Sequence, residues 1–518
     1  MLAGLLLVAM ALQIVLGSRL LSATFDETTH LPAGYSYLKT GDFRLNPQHP
    51  PLIKLLAALP LLPLAPDVHL DDPAWNAASP DEWAFGYRFL YAQDADRLLF
   101  WGRLPIALLA LVLAGYVGCW ARELFGNAAG LLALFLCVFS PTVLAHARFV
   151  TMDVGLACFS TMALYHLWRR LRGGGRRHIV LAGIGLGLAL AAKFSGVVLV
   201  VSFAALIAAQ VAAGGGASPG GMTDRLRRAA LLLPALALSA LIVVQASYFF
   251  SADPLLYVKG LAAVQADHDP AYPYYLLGEF RPGGWWYYFA LAFLFKTPLP
   301  TLLLLPLAVY LALRGPRRPV VDELCLALPA ALYFVVTSAF ADNLGVRYLL
   351  PVYPLLFVFA SRVAPWALQH AARRIALALL VAWYAGSALW IFPDQLAYFN
   401  ELAGGPARGH RVLDDSNIDW SQDLKRLKTH LDERGIGRIK LHYGPNIAPD
   451  HYGIDAVPLS NAEWAGDPPP GVYAIGTHLL IRGEHYAKLD PRLKTNWLAR
   501  YDPVARIGYS IYLFEFPP

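Results

Sequence analysis

Two adjacent carboxylates, Asp26 and Glu27, open a polar stretch directly behind the first apolar block, in Phe25-Asp26-Glu27-Thr28-Thr29-His30. A third carboxylate, Asp153, heads another apolar block in Arg148-Phe-Val-Thr-Met-Asp153. A carboxylate held against an acceptor hydroxyl can take its proton, and ionisable groups at membrane depth are usually functional. The plainer readings are a solvated helix edge for Asp26 and Glu27 and an N-cap for Asp153. Cations recur in the same kind of place: Lys54 in His49-Pro-Pro-Leu-Ile-Lys54, Arg103, Lys193 in Ala-Ala-Lys193-Phe-Ser-Gly, Lys296 in Lys296-Thr-Pro and Arg347 in Gly-Val-Arg347-Tyr-Leu-Leu-Pro. A lone Lys54 reads most simply as a stem snorkelling to the interface. A cation at a helix centre costs about 2.5–3.5 kcal/mol on the insertion scale. Several at one face point to a shared anion, and a phosphate suits charge-assisted Arg and Lys donors.

The elements that must position these groups are membrane helices. Of 518 residues, 57% are hydrophobic and 15% charged, against roughly 25% charged in an ordinary soluble domain; the mean hydropathy is +0.46. Apolar blocks of span length fall near 1–21, 99–119, 127–145, 152–168, 178–192, 195–213, 229–249, 290–313, 323–341, 347–362 and 375–392. About eleven transmembrane helices are expected. Every second connection is basic: Arg122; Arg169, Arg170, Arg172, Arg176 and Arg177; Arg225, Arg227 and Arg228; Arg314, Arg317 and Arg318; Arg362, Arg373 and Arg374. Positive connections stay in the cytoplasm, so the N-terminus is expected inside and the C-terminus outside. Asp26 and Asp153 then share the outer face. The net charge of +6 is a topology signal and carries no expectation of nucleic-acid binding.

Residues 1–18 hold no Lys or Arg, so the first block is expected to be a retained helix rather than a cleaved signal peptide. The four cysteines (Cys119, Cys137, Cys158 and Cys325) sit in or at the ends of apolar blocks. Their spacing fits neither a disulfide framework nor a zinc site, and buried small residues are expected. Residues 1–393 form the membrane part, with an acidic, Trp- and Pro-containing outer loop 22–98 expected to hold interfacial helices. A second, aromatic outer loop covers 250–289. Gly214–Gly221 reads as a flexible linker. From 394 to 518 the composition becomes polar, with β-like runs at 438–443, 471–475 and 509–515. Ahead of these runs a helix is signalled, with Asp419 and Gln422 as a capping pair and Leu424, Leu427 and Leu431 on one face. This is a small α/β domain, expected outside the membrane. Asp415-x-Asn417-x-Asp419 begins like a calcium loop but has Trp420 at position six and Arg426 at position twelve, so a turn is expected instead.

Asp26-Glu27 followed by His49-Pro-Pro-Leu-Ile-Lys54 resembles the Asp-Glu and His-Pro-Pro-Leu-Gly-Lys motifs of protein O-mannosyltransferases, members of the GT-C superfamily of membrane glycosyltransferases. The order of elements is also similar to that of bacterial lipid A aminoarabinose transferases. Thr151-Met-Asp153, Lys193, Arg347-Tyr-Leu-Leu-Pro351, Glu279-Phe-Arg281-Pro-Gly-Gly-Trp-Trp-Tyr-Tyr288 and Lys296-Thr-Pro298 resemble segments of such proteins. So do Tyr398-Phe-Asn-Glu-Leu-Ala-Gly-Gly405 and Asp415-Ser-Asn-Ile-Asp-Trp420 with Asp423. This chain departs at Ile53, where the mannosyltransferases carry Gly, and at Pro47, where they carry an acid. Gln48 stands where the aminoarabinose transferases have a metal-holding Glu, so no metal ligand set is carried over and no cofactor is expected to be required.

The resemblance implies transfer of a sugar from a polyprenyl-monophosphate carrier to an acceptor hydroxyl or amine at the extracytoplasmic face, in a bacterial inner or plasma membrane. The acceptor is a protein, a lipid or an envelope glycan. In that reading Asp26 is the base, supported by Asp153 and Glu27. Lys54, Lys193 and Arg347, with His49, Arg103 and Arg281 behind them, meet the leaving phosphate. The alternative is a transporter or flippase for a polyprenyl-linked sugar or lipid. That class more often shows repeated halves and charges near the midplane; here no repeat is visible and the charges lie at outer helix ends.

Overall fold

The computed structural model describes residues 1–77, 79–213, 221–316, 318–490, 492–494 and 496–518. The linker expected at Gly214–Gly221 falls almost wholly outside the described residues, as do Arg317 and the side chain of Arg228. Among the described residues, six helices are long and apolar enough to cross a membrane: Leu2–Arg19, Ala95–Phe125, Phe194–Ala212, Met222–Ser247, Val320–Phe340 and Ala371–Trp390. The expected span 290–313 is broken into Tyr288–Lys296 and Leu299–Arg314, bent by 111°. Pro298 accounts for the break, since it lacks the N–H that would continue the ladder. Asn127–Val138, Arg177–Ala192 and Val352–Ala367 are apolar but shorter. Met152–Leu171 is a helix of 20 residues with Asp153, His166, Arg169 and Arg170 along it. The chain is an integral membrane protein, though not one of eleven equal full-length spans.

The 31-residue helix Ala95–Phe125 is roughly 46 Å long at 1.5 Å per residue, and it gives the bundle two distinct ends. At its last turn Arg318 donates to the Leu124 carbonyl, Arg169 pairs with Glu123, and Arg318 and Arg362 both lie over the Phe125 ring. Arg362 is itself paired with Glu323 at 2.7 Å. Four of the basic connections therefore meet at one end. At the first turns of the same helix, Arg103 meets Glu27.

Loop 22–98 folds into helices Glu27–Thr40, Leu52–Ala58, Pro73–Asn76 and Glu82–Tyr91. Two glycines let them close up. A Cβ on Gly34 would collide with the Lys54 carbonyl, and one on Gly86 with the Thr28 carbonyl. Gly155, two residues beyond Asp153, likewise receives the Ile53 side chain, so the residue that departs from the mannosyltransferase motif is packed against the Asp153 helix. The second outer loop holds a helix, Leu256–Asp267, and a hairpin of β1 (Pro273–Leu276) and β2 (Glu279–Pro282).

Beyond Trp390 the chain winds through short 3₁₀ turns before a five-stranded sheet of β3 (Ile439–His442), β4 (Ala456–Pro458), β5 (Gly471–Gly476), β6 (Ala505–Ile507) and β7 (Ile511–Phe516). The strand order is β4-β3-β5-β7-β6, parallel from β4 to β5 and antiparallel at β7. Both faces are covered, and β7 shows how: Ile511 and Leu513 join Leu424, Leu427 and Leu431, while Tyr512 and Phe514 join Leu480 and Trp497. Alternate residues thus serve opposite cores. Helix Leu424–Arg434 buries the three leucines as expected, but it is not capped by Asp419 and Gln422. Gln422 instead accepts from the Trp420 N–H, and Asp419 from Ser421, so both are spent on the preceding turn. Among the cysteines, Cys137, Cys158 and Cys325 are buried, whereas Cys119 is exposed on its helix.

Candidate active site

Asp26 lies at the N-terminus of helix Glu27–Thr40, where its side chain accepts no capping hydrogen bond. Its Oδ2 instead accepts from Arg347 Nη1 at 2.8 Å. The same nitrogen stands 3.9 Å from Asp153 Oδ2, and Asp153 Oδ1 accepts from Lys193 Nζ at 2.6 Å. Acid and base alternate as Asp26, Arg347, Asp153, Lys193. They come from four segments far apart in sequence, and two cations balance two carboxylates in low-dielectric surroundings.

Local sequence explains each placement. Lys193 ends helix Arg177–Ala192 in an extended conformation that turns its stem away from the helix axis. Arg347 sits in a short 3₁₀ turn, Val346–Leu349, between two membrane helices. Asp153 is in the first turn of Met152–Leu171, whose N-cap is Thr151; its carboxylate serves the ion pairs and not the cap. Asp153 is only 2% exposed, Asp26 17%, so Asp26 is the carboxylate that opens outward. Tyr348 and Trp420 line the cations: Lys193 Nζ is 4.4 Å from the Tyr348 centroid and Arg347 Cζ is 4.4 Å from that of Trp420. Arg347 Nε has no partner among the described residues, which leaves donor capacity on the guanidinium.

Three expected site residues are occupied elsewhere. Glu27 is fully buried and accepts from Arg103 Nε (2.8 Å) and Nη2 (2.7 Å), Thr24 N and Oγ1 (both 3.0 Å) and Val150 N (2.9 Å). Arg103 spends its remaining donors on the carbonyls of Ser18, Leu21 and Ser22. That pair is a junction between the first outer loop and two membrane helices, and neither member has capacity left for a substrate. Lys54 is also fully buried, donating to Tyr37 Oη (2.8 Å), Asn46 O (2.7 Å), Asn46 Oδ1 (3.1 Å) and His49 O (2.8 Å). Burial lowers its pKa to about 7, against a smaller raising pull from Glu82. It staples the 46–49 turn, with its ammonium directed at protein oxygens. The short spacing from His49 to Lys54 looked like two ligands; it is one ligand candidate and its brace.

His49 meets the His30 ring edge-on at 5.0 Å, and His30 is fixed by the Val150 carbonyl at 2.8 Å. Burial, and then the neighbouring positive groups including Lys193 and Arg347, hold the His49 imidazole well below its usual pKa, hence neutral. His49 also lines a cavity of about 630 Å³ between the two outer loops, together with Tyr37, Arg44, Pro47, Tyr248 and Lys259. Arg281 lies on β2 with its side chain exposed and is not part of the cluster. Gln48 and Asn46 both donate to Glu82, at 2.6 and 3.2 Å. Among the described residues no three His, Cys, Asp or Glu side chains are grouped to hold a metal ion. Tyr348 and Trp420 were not assigned a role from the sequence. Tyr348 was legible only as the neighbour of Arg347, and nothing in the local sequence around Trp420 shows what it covers.

The family model of dolichyl-phosphate-mannose-protein mannosyltransferases matches residues 96–216, a segment that holds Asp153 and Lys193. No curated protein matches the whole sequence at a significant level. Among solved structures, the ArnT of Cupriavidus metallidurans bound to undecaprenyl phosphate is similar at 15% identity and a TM-score of 0.48, over 98% of this chain and 97% of that one. Its apo form gives 0.49 at 15% identity and the same coverage. The Archaeoglobus fulgidus oligosaccharyltransferase gives 0.43 at 15% identity, over 75% of this chain and 54% of that one.

Proposed function

We propose that this protein is a membrane glycosyltransferase of GT-C type that takes its sugar from a polyprenyl-monophosphate carrier and passes it to an acceptor hydroxyl or amine at the extracytoplasmic face. The observation that carries this reading is the Arg347 guanidinium standing between Asp26 and Asp153, with Lys193 on the far side of Asp153. The match of residues 96–216 to the mannosyltransferase family supports it.

In this reading Asp26, the more open carboxylate, takes the proton of the acceptor as its oxygen or nitrogen attacks the anomeric carbon. The bond from that carbon to the carrier phosphate breaks, and its electron pair leaves on the phosphate oxygen. Arg347 and Lys193 stabilise the negative charge that gathers there. Asp153 stands between the two cations, and its burial keeps that frame rigid. His49, uncharged, lines the neighbouring cavity between the outer loops, whose walls do not include the four residues of the cluster. The charge on the phosphate is met by cations of the chain itself, so the chemistry needs no divalent ion in principle. The positive connections gathered at one bundle end support a cytoplasmic side there, with the cluster at the outer end.

The test is reconstitution of the purified protein in liposomes with labelled polyprenyl-phosphate sugars and an envelope extract, beside Asp26→Asn. Transfer by the wild type and at least a hundred-fold loss in the variant are expected, the lower end for a general base. Full activity of Asp26→Asn would remove the base from its role. Movement of the carrier across the bilayer without transfer would replace the enzyme with a flippase.

A further inference from the structure

The segment that leads into the C-terminal sheet reaches back over both halves of the Asp26–Arg347 pair. On the Asp26 side its backbone pairs with the strand-like stretch before the helix. Phe25 N donates to Trp420 O at 3.0 Å and Ser22 N to Gln422 O at 2.9 Å. Ser22 Oγ adds a bond to Ser421 O at 3.1 Å and receives Leu424 N at 3.1 Å. On the Arg347 side, Asn417 Oδ1 accepts the Val346 N–H at 3.0 Å and Ser416 Oγ donates to Leu344 O at 2.8 Å. The Trp420 ring then lies over the guanidinium itself. The segment is anchored below by Lys296, whose Nζ donates to Asn417 O at 2.7 Å and Leu396 O at 2.6 Å.

Its own backbone is held in an unfavourable form to do this. Asp415 and Ser421, neither of them glycine, have φ of 60° and 68°. Left-handed non-glycine residues persist only where the surroundings over-determine them, and they collect at functional sites. A tryptophan that merely filled a gap would need neither the paired backbone on one side nor the capped 345–349 turn on the other.

We propose that Asp414–Asp423 is a clamp for the catalytic pair, with Trp420 and Asn417 as positioning residues that hold Arg347 at the distance from Asp26 that transfer requires. This rests on the glycosyltransferase reading for its kinetic consequence, though not for the clamp itself. Trp420 touches Arg347 by its ring and the residue before Asp26 by its carbonyl, so the pair's separation is set by one residue of the C-terminal part. Bundle helices also pack on the Arg347 turn, while the side-chain bonds to the backbone that flanks it come from this segment.

The test has two arms. In the first, kcat and KM are measured on the reconstituted protein for Trp420→Ala and Trp420→Phe, in the wild-type and the Arg347→Ala backgrounds. Loss of a desolvated cation–aromatic contact lowers kcat by about ten- to thirtyfold, with KM for the donor changing less. Trp420→Phe restores most of it, and Trp420→Ala adds less than about twofold once Arg347 is gone. Equal losses in both backgrounds would mean that Trp420 only fills space, and would overturn the positioning role. In the second arm, amide exchange over 345–349 is followed in the intact protein and in Asn417→Ala, which needs no substrate. Exchange at least tenfold faster in the variant is expected, and unchanged exchange overturns the clamp. Should the wild type transfer no sugar at all, the function proposed above falls, while the exchange arm still decides whether the clamp exists.

Discussion

At the residue scale, adjacent Asp26 and Glu27 have opposite fates because of what each meets. Glu27 is surrounded by five donors and fully buried, so its charge is compensated by structure and unavailable for chemistry. Breaking such a pair leaves a buried charge alone and costs about 3–5 kcal/mol. Arg103→Met is therefore expected to lower the thermal midpoint sharply and cut the yield of folded protein. A stable, well-folded Arg103→Met with selectively lost activity would return Glu27 and Arg103 to the reaction. Arg347 is the contrary case. Arg347→Lys keeps a charge but loses the planar guanidinium whose Nη1 stands between both carboxylates, and a drop in kcat of about a hundredfold with normal folding is the expected reading. Asp419 supplies a pH signature. Burial raises its pKa to about 7 from about 3.9 in the unfolded chain. The folded state then binds the proton more tightly, so stability falls as pH rises from about 4 to about 7 and is level above. Thermal midpoints over pH 4–8 should show that slope in the wild type and lose it in Asp419→Asn; identical slopes would place the titration elsewhere.

At the element scale, the site depends on close approach between the first outer loop and the Met152–Leu171 helix. Ile53 fills the space over Gly155, so the first outer loop packs directly on the helix that carries Asp153. Gly155→Leu would force these elements apart, and overpacking of this kind costs about 1–3 kcal/mol. We expect a lower thermal midpoint and reduced transfer, with Ile53→Ala recovering part of both in the double variant. No recovery would show that the contact is not what spaces the elements. Gly86 offers no such partner to trim, because a Cβ there meets the Thr28 backbone carbonyl. The break at Pro298 belongs to this scale as well: it leaves Lys296 at a helix end, where its ammonium can turn toward the Leu396 and Asn417 carbonyls.

Taken whole, the molecule has a basic end and an end that carries the Asp26–Arg347 cluster, joined by the 31-residue helix, and the C-terminal sheet stands at the cluster end through the bonds of Ser22 and Phe25 to residues 420–422. That arrangement fixes relative sidedness. In a background without native cysteines, Asp71→Cys in the first outer loop and Glu433→Cys in the C-terminal part should react with an impermeant thiol reagent added outside intact cells. Arg177→Cys should react only after permeabilisation. Opposite behaviour of Asp71→Cys and Glu433→Cys would contradict the fold itself.

The sequence alone determined that this chain lives in a membrane, which ends of its helices are basic, and which ionisable residues are out of place in an apolar setting. Those are properties of composition, spacing and local charge, and the polypeptide displays them without folding. The β-runs and the leucine face after residue 424 were legible for the same reason, since their periods are local. Which charges are spent inside one loop and which meet in a shared cluster was decided by the tertiary structure. Lys54 and Lys193 look alike in sequence, yet one finds four protein oxygens within its own loop and the other a carboxylate forty residues away. Trp420 acquires its contact with Arg347 only when the C-terminal segment folds back. A side chain's partners are set by whatever the whole fold brings to it, and neither the sequence distance nor the residue type carries that information.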